Sequence, residues 1–151
     1  MFHKRLEEIF QKLGESQIMC LATSSEDRVT ARSMSVIVMG QKFYFQTDRQ
    51  FLKYNQIVRN PRVALCFNNI QIEGICKEQG HPLSAENSSF SNKYNEYFKG
   101  SFDKYSHMDN EVVLEVQPKL ISLWGYENGE PYQEFFDFEN DTHRKSFYTT
   151  E

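Results

Sequence analysis

The 151 residues fit a single domain, 1–151, large enough to bury a real core. A net charge of −4 excludes the broad basic face that nucleic-acid binding requires, while leaving room for a local basic pocket. No stretch approaches the roughly 20 apolar residues of a membrane span, so neither nucleic acid nor membrane is an expected partner.

Aromatic residues reach 15%, with thirteen Phe and eight Tyr, which favours a β-rich core, a ligand pocket or a subunit interface. Phe2, Leu6, Ile9, Phe10 and Leu13 recur at helical spacing until Gly14. The segment lacks the apolar run and small-residue cleavage site of a secretory signal. Gln17 to Thr23 reads as an apolar strand buried on both faces, followed by a Ser24–Asp27 turn. Val29 to Met39 and Lys42 to Thr47 are the next strands, and their short connections predict an antiparallel meander.

Asp48 is placed to cap a helix whose face carries Phe51, Tyr54, Ile57 and Val58, and Asn60-Pro61 ends it. Arg62 to Phe67 and Ile70 to Lys77 form a hairpin about Asn68-Asn69. Glu78 to Ser91 is irregular, and Asn92 to Tyr105 is an aromatic helical region broken at Gly100. Glu111 to Val116 and Lys119 to Tyr126 read as two strands flanking Pro118. A last short strand, Glu134 to Phe138, precedes a polar tail. The sum is a mainly β fold, a β-barrel with about three peripheral helices. Cys20, Cys66 and Cys76 sit in apolar runs without a Cys-x-x-Cys motif, which reads as buried, reduced thiols of a cytoplasmic protein with no metal site.

The chemistry concentrates between Thr30 and Gly74. Arg32 lies in a strand among small or apolar neighbours. Thr47 and Asp48 mark a strand end passing into a helix start, where free backbone N–H groups attract anions. Lys53 lies less than two turns further on. A phosphate monoester wants this mixture of fork donor, point cation and hydroxyl. Spacing alone leaves a second reading open, in which Arg32 and Lys53 are ordinary solvated charges. His81, in Gly80-His81-Pro82, reads as an exposed loop residue that could also border a pocket.

Arg32-Ser33-Met34-Ser35-Val36, Gln46-Thr47, Lys53, Asn60-Pro61-Arg62-Val63, Gly74 and Ile121-Ser122-Leu123-Trp124 fall in one order. That order resembles the pyridoxamine 5′-phosphate oxidase-like split-barrel family, over Ile18 to about Tyr126. The resemblance implies an antiparallel FMN-binding split barrel. Arg32 and Lys53 would hold the phosphate, and Ser33, Met34, Ser35 and Gln46 would face the ring. Thr47 would stand near the phosphate or ribityl chain. Either Asn69 or Gln71 would be the amide ahead of Gly74, and Trp124 would reach the flavin from a second subunit of a homodimer. Two departures stand out. Leu52 precedes Lys53 where the family often has a second base, a role Arg49 could fill. Gly125-Tyr126-Glu127 follows Trp124 where the true oxidases carry an Arg-x-His grip on the vitamin phosphate.

The resemblance therefore implies an FMN-dependent oxidoreductase acting on a small molecule. It points to the short nitroimidazole-resistance and general-stress relatives more than to pyridoxine phosphate oxidation. No general acid or base is identified from sequence. The alternatives are a flavin or haem carrier or sensor without catalysis, and a colourless interaction domain.

Overall fold

The computed structural model describes residues 2–148, so Met1 and the end of the expected tail, 149–151, lie outside the described residues. The elements run α1 (Phe2–Leu13), β1 (Ser16–Ser25), β2 (Arg28–Met39), β3 (Lys42–Asp48), α2 (Leu52–Arg59), β4 (Arg62–Phe67) and β5 (Ile70–Gly80). They continue with α3 (Ser88–Tyr97), α4 (Lys99–Tyr105), β6 (Glu111–Glu127), β7 (Glu130–Asp137) and β8 (Thr142–Phe147). Every strand pairing is antiparallel, in the order β3-β2-β1-β4-β5-β6-β7-β8. A further β3–β6 pairing closes the first six into a barrel and leaves β7 and β8 as an extension. The mainly β barrel with peripheral helices is thus the observed architecture.

Period-two alternation decides what fills it. Met19, Leu21, Val36, Phe43, Phe45, Leu65, Ile72, Leu114 and Ile121 point inward, and Leu6, Ile9 and Leu13 of α1 join them. Each such side chain stabilises the fold by about 1.5–3 kcal/mol when fully buried. β1 is therefore not buried on both faces: Ile18 and Cys20 point out, and Ile18 keeps 54% of its surface exposed. Cys66 is exposed for the same reason, and only Cys76 of the three thiols is buried. A second cluster, Ile37, Val113, Phe90 and Tyr94, holds α3 and α4 against the outer face of β2 and β6.

Five other expectations are corrected. Asp48 does not cap α2; its Oδ1 accepts from the Gln50 N–H at 2.8 Å, forming a turn ahead of the helix. Gln56 and Ile57, rather than Phe51 and Val58, make the helix's buried face. The helical region breaks at Phe98, with φ −132° and ψ 51°, and Gly100 lies inside α4. The two strands around Pro118 are one, because Pro118 falls opposite Gly74 where the β5–β6 register shifts. A Cβ on Gly74 would sit 2.7 Å from Gln117 O, so this close crossing admits only glycine. The polar tail is largely strand β8. No helix among the described residues is long and apolar enough to cross a membrane.

Candidate functional site

β2 and β3 pair only through Ile37–Met39 and Lys42–Tyr44, so they part on the side where β3 runs on into α2, and α3 and α4 pack alongside. Between them lies a cleft of about 390 Å³. Six of the residues selected from sequence line it: Ser33, Met34, Ser35, Gln46, Thr47 and Lys53. Phe51, Tyr94, Tyr105 and Met108 add an apolar wall, and Asp48 and Glu111 bring two carboxyl groups.

Two features at the α2 end are chemically unfinished. The Thr47 hydroxyl oxygen is buried and has no hydrogen-bond partner among the described residues. Such a group costs about 1–3 kcal/mol unless something satisfies it. Lys53 is half-buried with its ammonium 4.8 Å above the Phe51 ring, and forms no ion pair among the described residues. Burial, then the nearby Arg32 charge, lowers its pKa, while Glu111 and Asp48 pull it back up.

Arg32 does not line the cleft. It shares the strand parity of Val36 and Val38, so its side chain turns to the barrel side. There Nη1 donates to Leu21 O at 3.2 Å and Thr23 Oγ1 at 2.8 Å, and Nη2 donates to Thr30 Oγ1. Both threonine hydroxyls donate in turn to Gln56 Oε1. The network fixes the guanidinium against α2, within electrostatic reach of Lys53, and burial lowers its pKa. None of its partners is a carboxylate, so its charge stays uncompensated behind the cleft wall.

The opposite wall carries a buried polar chain. Ser106 Oγ donates to Gln46 Oε1 at 2.9 Å, and Gln46 Nε2 donates to Glu111 Oε1 at 3.1 Å. Burial, reinforced by the charge of Asp48, raises the Glu111 pKa. Nothing in the local sequence singles out Glu111. Its position emerges only when β6 pairs with β3, setting Glu111 opposite Asp48.

Asn69, Gln71 and Trp124 lie elsewhere, around a shallow depression on the outer face of β4 to β7. Three strand spacings separate Gln71 from Ser33, about 14 Å. Asn69 Nδ2 donates to Trp124 O, while the Trp124 ring is 56% exposed and packs edge-on to Tyr126. Arg49 is engaged with Glu78 and offers no second base to the cleft. His81 is half-buried: Nδ1 accepts from the Leu83 N–H at 3.0 Å, so Nε2 carries the proton it donates to Met108 O at 2.9 Å. It braces the loop behind Met108 and is not a lining residue.

The family model described as pyridoxamine 5′-phosphate oxidase matches residues 4–125. No curated protein matches the sequence. Among solved structures, General Stress Protein 26 from Bacillus anthracis str. Sterne is similar at 22% identity and TM-score 0.62, covering 78% of this chain and 92% of that one. A pyridoxamine 5′-phosphate oxidase-related, FMN-binding protein from Nostoc punctiforme PCC 73102 aligns at 12% identity and TM-score 0.59, covering 93% and 91%. HutZ, the heme storage protein from Vibrio cholerae, aligns at 12% identity and TM-score 0.60, covering 78% and 89%. These likenesses are of fold.

Proposed function

The chain belongs to the pyridoxamine 5′-phosphate oxidase family, whose fold includes an FMN-binding relative, and from that premise we propose that it binds FMN in the cleft and works as an oxidoreductase on a small molecule. The observation that carries the proposal is the pair left unfinished at the α2 end: a buried Thr47 hydroxyl without a partner beside an unpaired, half-buried Lys53. A phosphate monoester satisfies both at once. Its oxygens accept from the hydroxyl, and its charge meets Lys53 directly and Arg32 through the wall.

The remaining roles follow from position. Ser33, Met34 and Ser35 on β2 would flank the ring, with Gln46 held in place by Ser106 and Glu111. The apolar wall of Phe51, Tyr94 and Met108 would exclude water from the ring's other side. FMN supplies hydride or single-electron transfer when bound; the chain supplies the anchor, the orientation and the admission of substrate. Asn69, Gln71 and Trp124 stand too far from the cleft of their own subunit, so they would reach the flavin of a second copy in a homodimer. We place this activity in the cytoplasm, where the three thiols stay reduced.

Lys53→Ala and Thr47→Val each remove one charge-assisted contact, worth about 1.5–3 kcal/mol. Each variant is expected to bind FMN roughly ten- to hundredfold more weakly in a fluorescence titration. Wild-type affinity in both variants would overturn the anchor. A haem-binding function would need an axial ligand from the cleft, and Met34 and Met108 are the soft donors there among the described residues. The visible spectrum of the isolated protein separates flavin bands from a Soret band.

A further inference from the structure

Glu111 brings a buried carboxyl to the cleft wall, and its surroundings leave its charge poorly answered. Register sets it directly opposite Asp48 of β3, so two carboxyl groups share one side of the sheet at the edge of the cleft. The Glu111 carboxyl takes part in no ion pair among the described residues. Its two oxygens are unequal. Oε1 accepts from Gln46 Nε2 at 3.1 Å, and Gln46 is itself held by Ser106. Oε2 has no hydrogen-bond partner among the described residues and is not a buried atom, so it opens onto the cleft that the residue lines.

Charged and titratable groups reach Glu111 from each side. Burial and the Asp48 charge favour its neutral form, while Lys53 of α2 and His81, which follows β5, oppose them. Arg32 of β2 acts at one remove, through Lys53. α3 and α4 add the phenols of Tyr94 and Tyr105. A phosphate monoester arriving at Lys53 disturbs this balance in one direction only. It pairs with the ammonium, which had offset the Glu111 charge, and it brings nearly two negative charges of its own. Both changes raise the affinity of Glu111 for a proton, and the low dielectric of the cleft strengthens them.

We propose that FMN enters the cleft together with a proton, and that Glu111 holds that proton on Oε2. The inference rests on FMN binding with its phosphate at Lys53. Oε1 is already engaged as an acceptor, so Oε2 is the atom free to carry the hydrogen. As a neutral acid it donates into the cleft, where the carboxylate would only repel an anion. Linkage is reciprocal, so protonation of Glu111 tightens FMN by the factor with which FMN favours protonation. Affinity therefore rises as pH falls, by at most about tenfold per pH unit for a single proton.

The experiment titrates FMN into the full chain by calorimetry between about pH 6 and 8, in PIPES and in imidazole, whose different heats of ionisation count the protons taken up. The FMN phosphate titrates near pH 6 on its own account, but it does so alike with every variant, so differences between proteins isolate Glu111. Wild type should take up more protons than Glu111→Gln, by as much as one, and its Kd should change more steeply with pH. Asp48→Asn should fall between them. Equal uptake by wild type and Glu111→Gln, with FMN bound by both, would overturn the proposal and leave the FMN reading standing. No binding of FMN by wild type at any pH would overturn both. If Glu111→Gln alone fails to bind, Asp48→Asn decides, since undiminished uptake there would overturn the role of the carboxyl pair.

Discussion

Glu111 shows how a single side chain can set the electrostatics of the cleft. Burial favours its neutral form, as does the Asp48 carboxylate opposite it, and both outweigh the Gln46 hydrogen bond and the Lys53 charge. A carboxyl whose folded pKa is raised destabilises the fold when ionised, so this contribution is relieved as pH falls from above the raised value toward the ordinary 4.5. Glu111→Gln keeps an acceptor for Gln46 and removes the charge. The variant should melt higher at neutral pH and lose the wild-type gain on mild acidification, as read by thermal denaturation across pH. It should also bind FMN severalfold more tightly near neutrality, since one negative charge near Lys53 is gone. Equal pH profiles for the two proteins would reject the role. Local spacing brought Thr47 and Lys53 together because they bracket a strand end and a helix start, and the family resemblance added Ser33 to Ser35. It could not carry Glu111, which arrives by its pairing with Asp48, 63 residues earlier in the chain. Arg32 was half legible. Its place on β2 near Lys53 was readable, but its engagement by Thr23 and Thr30, which holds it out of the cleft, needed the β1–β2 register.

At the level of elements, α1 is held by an ion cluster that hydropathy does not announce. The buried Glu134 of β7 accepts a bidentate bond from Arg5, at 3.0 Å from Nε and 2.8 Å from Nη2, and a third from His143 Nε2 at 2.9 Å. Burial pushes the Glu134 carboxyl up, but Arg5 and His143 outweigh it and hold its pKa below the ordinary 4.5. A depressed folded pKa stabilises the protein at pH values above the unfolded one, and that stability disappears as pH falls through the folded value. Acid unfolding below pH 4.5 should therefore be steeper in wild type than in Glu134→Gln. Arg5→Ala leaves the buried carboxylate without its main partner. Because Arg5 is itself part-exposed, the expected cost is about 2 kcal/mol, a fall in Tm of about 4–8 °C. An unchanged Tm would show that α1 docks through Leu6, Ile9 and Leu13 alone. β8 escaped the sequence for a related reason. As the sheet's edge strand it buries almost nothing, so Thr142 to Phe147 has no alternation to read. β6 was divided at Pro118 because a proline usually ends a ladder, whereas here Gly74 and a bulge absorb it.

For the molecule as a whole, closing six strands into a barrel removes their edges but leaves an outer face that is unusually plain. Ala22, Ala31 and Ala64 lie in cross-strand register there, with Ile18 54% and Val29 72% exposed nearby and Trp124 at the far side. Small residues let a second backbone approach closely, and exposed apolar side chains gain from being covered. Meander topology and aromatic content were readable from sequence. The barrel's closing pair, β3 with β6, was not, because nothing local links strands so distant in the chain. The split of the selected residues into cleft and outer face now gives a test of assembly. If each flavin is held by Lys53 of one copy and Trp124 of another, neither Lys53→Ala nor Trp124→Ala alone should bind FMN well. A hybrid dimer of the two variants carries one site with both residues intact and one with neither. Co-expression with two different affinity tags should therefore restore wild-type affinity at one site per hybrid dimer, measured by flavin absorbance against protein. Sedimentation of the wild type as a monomer, or a hybrid no better than its parents, would place the whole flavin site within a single chain.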